Sequence, residues 1–489
     1  MADQHRALSG VRSDYIVSTL ASVSVACSSI VLFAWIGRAL SPDDLGFFSQ
    51  IRRVSAMWVP VSTLGVSLAL SRYLPRLQDL RMIRRRTLQL SGIVAAMLAL
   101  HVGVLSAGWS APFLAPVIGE RMSLVWPFVF QLLGLSVLVV PYAALRGLHR
   151  IRLAAGLQVT GYALWPLVCL AYEPEAALEA LVLRIGVGQS LIGVTSLALI
   201  AGVVRPLRQP AEPVQADRLG ALLAYGLARL PGGIFAFILW AGVPMALLHV
   251  GLPTEAALAN AVTSLVNLPV MVLSPLSFVL LPRLSLAQVQ REDEEVRTFV
   301  RHGLRTAWDL QLPVTLGLVA FIEPVVQLWL GFGAGGFVGS ARWMVLAIPA
   351  VTLFQFCRPT VDARAVVPYA VIAQGIGAIA GLVGWLVMDA STLRQSIGQA
   401  FFIGQSVAAI ALIMWCYRVH EMKFVLANAN QLLPALPLIA GTVVVVVVGL
   451  QGWSVVAFAL ALFAYLAALV WVDSPVAQGL RALRRGGRS

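Results

Sequence analysis

Four arginines lie within long apolar stretches of this chain, where a charged side chain is costly. They are Arg52, Arg53, Arg184 and Arg229. An arginine near the centre of a membrane costs about 2.5 to 3.5 kcal/mol on insertion scales, so it normally faces protein or a wet cavity and is a functional hypothesis by default. A guanidinium stays ionised at physiological pH and binds phosphate through two parallel hydrogen bonds. These residues therefore predict either an anion-binding site or a set of buried ion pairs.

The depth of each arginine favours one of these two interpretations. Arg229 lies about 15 Å into a predicted helix and Arg52 about 10 Å into another, at 1.5 Å of rise per residue. Both are too deep to reach the headgroups easily, so we expect them to line a cavity. Arg184 follows the acids Glu175 and Glu179, which favours a structural ion pair there.

Polar residues at helical spacing form a stripe on each of two predicted helices. Residues three, four or seven positions apart share a helix face, and these sets do so: Arg52, Ser55, Ser62 and Thr63 on one helix, and Asn260, Thr263, Ser264, Asn267 and Ser274 on the other. The stripes predict a wet lumen between the helices, with Asn260 and Asn267 as further contacts for a substrate.

Acidic, thiol and histidine side chains form no recognisable reaction centre. Asp309 follows Arg305 by four residues, the spacing of a same-face pair, so it predicts a structural salt bridge or a proton or sodium site. The only lysine, Lys423, follows Met422 and belongs to no phosphate-binding loop. No catalytic constellation or metal-ligand pattern is evident, and the four cysteines show no pairing pattern. We expect a protein without cofactor, metal or enzymatic activity.

The composition places the chain in a membrane. Of its 489 residues, 59% are hydrophobic and 12% charged, with a mean hydropathy of +0.86, whereas soluble domains have about a quarter charged. Spanning the hydrocarbon takes roughly 20 apolar residues per helix. Continuous apolar segments, the first at Tyr15–Gly37 and the last at Trp453–Val472, predict an all-α membrane protein with about fourteen transmembrane helices.

The net charge of +13 follows the positive-inside rule. Most of the 35 basic residues fall in tails and loops on one side of the predicted helices, which places both termini in the cytoplasm. Membrane topology and attraction to anionic lipid headgroups explain these clusters of basic residues. Binding to nucleic acid is not needed to explain them. The opposite loops are too short to carry the catalytic groups of a membrane glycosyltransferase or polymerase.

An internal repeat organises the chain. The motif LPRL occurs at Leu74–Leu77 and at Leu281–Leu284, and PDDLGFFSQI (42–51) corresponds to PTEAALANAV (253–262). The spacing of about 210 residues predicts two parallel copies of one six-helix bundle. The predicted parts are a first lobe (1–204), a cytoplasmic linker (205–218), a second lobe (219–420) and two C-terminal helices with a basic tail (421–489).

At these motifs the sequence resembles the Wzx-type polysaccharide and O-antigen flippases of the multidrug/oligosaccharidyl-lipid/polysaccharide (MOP) exporter superfamily. The resemblance rests on IGRALSPDDLGFFS (36–49), RYLPRL (72–77), YGLARLPGGIF (225–235) and LSPLSFVLLPRL (273–284). It departs from the family at Ala256-Ala257, where a glycine before an aromatic residue is usual. It implies a MATE-like fold with two pseudo-symmetric lobes around a cavity that opens alternately to either side.

The resemblance also implies a substrate, an undecaprenyl-pyrophosphate-linked oligosaccharide moved from the cytoplasmic to the periplasmic leaflet of the bacterial inner membrane. Arg52 and Arg229 then become headgroup contacts, with Arg53 and Arg184 less favoured. A lipid II flippase is the nearest alternative, followed by a cation-coupled multidrug exporter, which should have a more acidic cavity. A purely structural scaffold leaves the buried arginines unexplained. Family precedent favours a monomer among membrane lipids, associated in some cases with polysaccharide polymerase machinery.

Overall fold

The protein is described by a computed structural model. It covers residues 2–74, 80–106, 117–118, 121–148, 150–174, 176–203, 219–270, 293–364, 367–387, 393–419, 435–449 and 452–471. These residues are almost all helical, and no strand occurs among them. The predicted linker 205–218, the second LPRL motif (281–284), Ser274 and the basic tail beyond residue 471 lie outside the described residues.

The first half of the described chain contains eleven α-helices and one π-helix. In chain order the elements are α1 (Ala2–Ala39), α2 (Pro42–Ser62), α3 (Val66–Tyr73), α4 (Leu80–Ser106), α5 (Val125–Gly147), α6 (Ile151–Gln158), the π-helix Val159–Leu164, α7 (Trp165–Tyr172), α8 (Leu178–Val203), α9 (Leu219–Leu227), α10 (Leu230–His249) and α11 (253–270). Three pairs in this set, α2–α3, α6–α7 and α9–α10, divide a single crossing into two segments.

The second half contains seven further described helices. They are α12 (Asp293–Leu330), α13 (Val338–Leu346), α14 (Ile348–Arg364), α15 (Tyr369–Val387), α16 (Leu393–Val419), α17 (Ala435–Val448) and α18 (Gly452–Trp471). Proline lies within α12 and α14, and the backbone of α12 leaves helical geometry at Phe321.

The described helices make the chain a multi-pass membrane protein. Ten of them, joined across their breaks, are long and apolar enough to span a membrane, and two shorter apolar helices lie at 435–448 and 454–469. The crossings α2–α3 and α11 carry polar side chains of the predicted stripes, and residues 45–51 and 256–263 within them are buried on every side. The all-α membrane fold is confirmed, and fourteen crossings are consistent with these helices.

Contacts divide the chain into two compact units. The first comprises residues 1–261 with 329–332, and the second comprises 262–328 with 333–489. Residues 219–261, which the sequence assigns to the second lobe, are grouped with the first unit because α9 and α10 pack on α3 and α2. The predicted division into six-helix lobes stays a prediction.

Each unit has its own apolar core. The first is built on α3, α4, α5 and α6, with Leu90 and Leu138 fully buried. The second contains one cluster among α12, α14, α15 and α16 around Cys357 and Cys416, and another where α12 meets α17 and α18 around Leu438. Other large apolar side chains, such as Leu191, Leu328 and Phe463, are exposed, as lipid-facing side chains should be.

Candidate functional site

Helix α2 begins at a capped end that carries two acids. The Ser41 hydroxyl accepts a hydrogen bond from the Asp44 N–H at 3.1 Å, and Pro42 occupies the first turn, where its missing N–H has no cost. Asp44 pairs with Arg121, whose guanidinium carbon lies 4.6 Å from the centre of the Phe47 ring. Burial raises the pKa of Asp44, but hydrogen bonds from Arg121 and Ser41 and the charge of Arg121 outweigh it, so the pKa lies below its ordinary value.

Immediately after this cap, α2 packs against the start of α11. A Cβ atom on Gly46 would lie 2.2 Å from the carbonyl oxygen of Pro253, so this approach of the two backbones needs glycine. The Asp43 carboxylate accepts a hydrogen bond from the Thr254 hydroxyl at 2.7 Å. Asp43 and Thr254 correspond in the sequence repeat, so the two copies contact one another at matching positions.

Arg52 and Arg53 point to different partners. The Arg53 Nη2 donates to the main-chain carbonyl of Asn260 at 2.9 Å, and the Asn260 side-chain amide donates to Gln50 Oε1 at 3.2 Å. The Arg52 Nη2 makes one long hydrogen bond, 3.4 Å, to the Ser29 hydroxyl of α1. The Arg52 Nη1 is buried and has no hydrogen-bond partner among the described residues. Arg53 is thus held by protein, whereas Arg52 has donor capacity to spare.

The crossing that begins with α2 breaks at residues 63–65. The Gly65 N–H donates to the Pro60 carbonyl at 2.9 Å and the Leu64 N–H donates to the Val61 carbonyl at 3.1 Å, which is the pattern of a Schellman motif. Leu64 has φ 50° and Gly65 has φ 66°. A left-handed leucine costs roughly 1 to 2 kcal/mol. The break therefore stops α2 within the membrane and lets α3 start in a new direction.

A second break separates α9 from α10 and touches the first. Arg229 is the N-cap residue of α10, and Pro231 follows in the first turn. A Cβ on Gly65 would lie 2.6 Å from the Gly226 carbonyl oxygen, and a Cβ on Gly226 would lie 2.6 Å from the Leu64 carbonyl oxygen. The two broken crossings therefore meet backbone to backbone at their breaks. Irregular backbone at membrane depth is tolerated where it is buried in protein or lines a cavity, and in transporters such breaks form substrate sites.

Arg229 carries a positive charge at this double break. Its guanidinium carbon lies 3.7 Å from the centre of the Tyr225 ring, one turn earlier in α9. The described residues include no carboxylate within ion-pair distance of Arg229, and no hydrogen bond joins it to the network of Arg53 and Asn260. The Tyr225 ring therefore positions one face of the guanidinium, and the charge has no carboxylate partner among the described residues.

Arg184 stands in a different environment. It pairs with Glu173, and its guanidinium carbon lies 5.9 Å from the centre of the Tyr172 ring. The side chains of Arg184 and Glu173 are 36% and 48% exposed, so this pair lies at the surface end of α8. Glu173 therefore balances the charge of Arg184. Contact between Arg184 and a substrate stays a prediction, and the ion pair with Glu173 disfavours it.

The remaining predicted site residues lie in the second unit. Asp309 Oδ2 lies 3.9 Å from the Arg305 Nε, and the Tyr465 hydroxyl donates to the Asp309 main-chain carbonyl at 2.8 Å. Asn267 is half-buried on α11, seven residues beyond the fully buried Asn260, which belongs to the first unit. No cluster of three or more metal-ligating side chains occurs in the part of the chain that the structure describes.

The arrangement of broken helices can be compared with known structures. No family model matches the chain, and no curated protein matches it. An inward closed structure of the lipid II flippase MurJ superposes with a TM-score of 0.61, at 12% identity, over 93% of this chain and 98% of that one. The chain has the fold of MurJ and of the MATE transporters. An inward-facing MATE family transporter of the MOP superfamily gives a TM-score of 0.61 at 15% identity, over 82% of this chain and 98% of that one.

A further match extends this likeness to a drug transporter. The MATE multidrug transporter DinF-BH superposes with a TM-score of 0.58 at 13% identity, over 85% of this chain and 97% of that one. At identities of 12 to 15%, these superpositions show a shared fold and nothing finer. The predicted MATE-like fold is therefore confirmed, whereas the Wzx-type branch stays a prediction.

Sequence reasoning found the arginines but missed what positions them. Ser29 and Gln50 contact Arg52 and Asn260, and Tyr225 stacks on Arg229, yet none of the three stood out in the sequence. The breaks had a signal, because a glycine at 65 and a proline at 231 interrupt apolar runs. Their contact through Gly65 and Gly226 had none, since nothing local pairs two segments about 160 residues apart.

Proposed function

We propose that the chain is a flippase that moves an undecaprenyl-pyrophosphate-linked oligosaccharide from the cytoplasmic to the periplasmic leaflet of the bacterial inner membrane. One observation carries the proposal: Arg52 and Arg229 lie inside membrane crossings without a carboxylate partner among the described residues. Both termini are cytoplasmic in this proposal, and the protein acts as a monomer that hands its product to the polymerase machinery.

The chemistry of the headgroup matches the two arginines. A pyrophosphate diester carries about two negative charges, and a guanidinium offers parallel donors that fit phosphate oxygens. Arg229, at the meeting point of two helix breaks, holds one phosphate, and Arg52 supplies the second positive charge from α2. The lipid tail stays in the bilayer while the glycan crosses beside the polar stripes of α2 and α11.

Energy for this movement comes from outside the protein. The chain has no phosphate-binding loop for ATP, because its only lysine lies in the sequence Met422-Lys423-Phe424. Moving one elementary charge across the membrane is worth about 2.3 kcal/mol per 100 mV. A negatively charged headgroup leaving a negative cytoplasm is therefore driven outward by the membrane potential itself.

A lipid II flippase is the second candidate. The match to MurJ covers 93% of this chain, compared with 82% and 85% for the two MATE structures, so the likeness to MurJ extends over more of the chain. Lipid II has the same pyrophosphate and a different glycan with a peptide. A drug exporter is less well supported, because a cationic drug is repelled by Arg52 and Arg229.

The experiment that tests the proposal is the leaflet distribution of undecaprenyl-pyrophosphate-glycan in cells that lack this gene. We expect the lipid-linked glycan to accumulate on the cytoplasmic leaflet and surface polysaccharide to be lost. The wild-type gene should restore both, and variants Arg52→Ala and Arg229→Ala should not. The variant Arg184→Gln serves as the matched control because its charge is paired with Glu173.

Two outcomes contradict the proposal in different ways. If the glycan distribution is unchanged in the deletion strain and lipid II accumulates on the cytoplasmic leaflet, the substrate is lipid II. The proposed binding site at Arg52 and Arg229 is then unaffected. If Arg229→Ala, expressed at the wild-type level, fully restores the leaflet distribution and surface polysaccharide, Arg229 is not part of the binding site. The proposed substrate then still stands.

A further inference from the structure

The π-helix Val159–Leu164 interrupts the crossing formed by α6 and α7. Such helices are rare and occur mostly as single turns inside α-helices, often at functional sites. A proline follows this one: Pro166 has no N–H, and its ring crowds the carbonyl four residues earlier, that of Tyr162. The Trp165 N–H donates five residues back, to the Thr160 carbonyl. The proline therefore explains the wide turn that precedes it.

The same proline leaves a carbonyl group without its usual donors. The Gly161 carbonyl would accept from Trp165 in an α-helix and from residue 166 in a π-helix, but the Trp165 N–H is bound elsewhere and Pro166 has none. The side-chain amide of Gln189 on α8 donates to this oxygen at 3.0 Å. Gln131 on α5 donates in turn to Gln189 Oε1 at 3.0 Å, and both glutamines are buried. Because a buried acceptor without a donor costs free energy, these two bonds stabilise the π-helix.

The two glutamines belong to closely packed helices. A Cβ atom on Gly134 of α5 would overlap the Gly186 carbonyl of α8, and one on Gly188 would overlap the indole ring of Trp165. The Trp165 Nε1 donates to the Arg184 carbonyl at 3.3 Å. Helices α5 and α8 therefore hold the π-helix and α7 in one packed group with little room to adjust.

Helix α1 rests on this group. It packs chiefly on α6 and the π-helix, and less on α2. The hydroxyl of the buried Ser28 donates to the Ala163 carbonyl of the π-helix at 2.8 Å. The next residue, Ser29, lies about 100° further around α1, at 3.6 residues per turn, and its hydroxyl accepts the hydrogen bond from Arg52 Nη2. Two adjacent serines thus connect the π-helix, on one side of α1, with Arg52 on another.

We propose that Ser28 is a positioning residue for Arg52. Its bond to the π-helix sets the rotation of α1 and thereby holds the Ser29 hydroxyl against one end of the guanidinium. The buried Arg52 Nη1, which has no hydrogen-bond partner among the described residues, then keeps the position in which it binds the second phosphate of a lipid pyrophosphate. This inference rests on the proposed function and deepens it, because it explains how a pyrophosphate is distinguished from a monophosphate.

The direction of the Ser28 hydroxyl sets this residue apart from neighbouring hydroxyls. Serine within a helix commonly donates to a carbonyl one turn earlier in its own helix. Ser24 on α1 does so to Leu20 at 2.8 Å, and Ser190 on α8 does so to Gly186 at 3.0 Å. Ser28 donates to another helix instead, so its bond restrains how α1 lies on the π-helix.

A second contact restrains α1 at the same level in a different way. The indole Nε1 of Trp329 donates to the Ile30 carbonyl at 2.7 Å, and its ring centre lies 5.9 Å from that of Phe33. Helix carbonyls point along the helix axis, so the bond to Ile30 restrains movement of α1 along its axis more than its rotation. The rotation that places Ser29 therefore depends on Ser28.

The test measures the affinity of the purified full chain for undecaprenyl pyrophosphate and undecaprenyl monophosphate by native mass spectrometry. Wild type should bind the pyrophosphate more tightly, because the second phosphate gains the contact with Arg52. Ser28→Ala should lower the pyrophosphate affinity roughly 3- to 10-fold, as expected for one weakened hydrogen bond, and leave the monophosphate affinity unchanged. A general defect in folding would lower both affinities.

Three further variants separate positioning from stability. Ser24→Ala removes an exposed hydroxyl of the same helix and should bind both lipids as wild type does. Ser28→Thr keeps a hydroxyl at the position and should restore most of the preference for pyrophosphate. In an Arg52→Ala protein, Ser28→Ala should have no further effect on pyrophosphate affinity, because the residue through which it acts is gone.

Each result decides between the two claims. Wild-type affinity of Ser28→Ala for the pyrophosphate overturns the inference and leaves the flippase function intact. An equal loss for both lipids, or a loss that persists in the Arg52→Ala protein, also overturns it, because Ser28 then acts on the fold rather than on Arg52. A wild type that binds both lipids equally tightly overturns the inference as well, since no second phosphate is then recognised. A wild type that binds neither lipid overturns the proposed function and the inference with it.

Discussion

The arginines at the surface ends of the helices and those inside the helices are surrounded differently. Arg121 is paired with Asp44 and Arg184 with Glu173, and each also lies against an aromatic ring. Within the described part of the chain, Arg229 has the ring but no acid, and Arg52 has one long hydrogen bond, to a hydroxyl. Arg121 and Arg184 are thus neutralised by acids, whereas Arg52 and Arg229 have no carboxylate partner among the described residues.

This difference is the opposite of what the free-energy cost of burying a charge would favour. A buried charge is normally paired, because desolvation without a partner is expensive. A protein that pairs Arg121 and Arg184 with acids, and leaves Arg52 and Arg229 without a carboxylate partner among the described residues, has room for an external anion there. The comparison yields four predictions, in order of decreasing effect.

The largest effect is expected where two backbones meet. Gly65→Val places a side chain 2.6 Å from the Gly226 carbonyl oxygen in a left-handed conformation that alone costs about 1 to 2 kcal/mol. We expect loss of monodisperse protein on size-exclusion chromatography and loss of transport. Gly242→Ala, in α10 with open space around its Cβ position, is the control and should behave as wild type. Normal folding and transport by Gly65→Val would show that the breaks need not touch.

The next largest effect is expected at Arg229. Arg229→Ala removes charge-assisted hydrogen bonds of about 1.5 to 3 kcal/mol, which corresponds to roughly 10- to 100-fold in flipping rate at low substrate concentration. Arg229→Lys keeps the charge but loses the planar fork and much of the stacking on Tyr225, so we expect an intermediate rate. Initial rates in proteoliposomes measure both. A lysine variant as slow as the alanine variant would mean that geometry, rather than charge, governs the contact.

A small effect is expected at Arg184. Arg184→Gln breaks an exposed pair with Glu173, and such pairs contribute about 0.2 to 1 kcal/mol. Thermal unfolding followed by intrinsic fluorescence should shift slightly, and the flipping rate should stay within about twofold of wild type. A tenfold loss of rate in a stably folded Arg184→Gln protein would place this arginine with Arg52 and Arg229 and remove the distinction between the two groups.

The smallest effect is expected at Asp44, and it depends on pH. Because the folded-state pKa of Asp44 is lowered, its contribution to stability is present above its unfolded pKa, about 3.9, and is lost as the pH falls through the folded pKa. Asp44→Asn should therefore lower the melting temperature slightly at pH 6 and have less effect near pH 3. An equal effect at both pH values would show that the ion pair with Arg121 does not stabilise the fold.

Hydropathy was enough to predict the fold class, because a lipid environment leaves few alternatives to apolar helices. The sequence also placed Arg229 near the middle of its crossing, and the structure puts that residue at the start of α10, inside the crossing. The fold could be predicted this far because each step depends on local composition.

The candidate site depended on contacts that local sequence does not encode. Arg52 and Arg53 are neighbours in sequence, yet one reaches Ser29 and the other Asn260, which a helical wheel of α2 alone does not separate. Arg184 pairs with Glu173, an acid that the sequence did not single out as its partner. The meeting of the breaks at Gly65 and Gly226 depends on how distant crossings pack, so it required the structure.

The most direct test of the central claim is the binding of undecaprenyl pyrophosphate, which has the headgroup and no glycan, to purified protein by native mass spectrometry. Wild type, Arg229→Ala and Arg184→Gln would be compared at the same lipid concentrations. The account predicts that Arg229→Ala weakens binding about tenfold or more, whereas Arg184→Gln binds within about twofold of wild type. Equal affinities for wild type and Arg229→Ala would contradict the claim that the uncompensated intramembrane arginine holds the pyrophosphate.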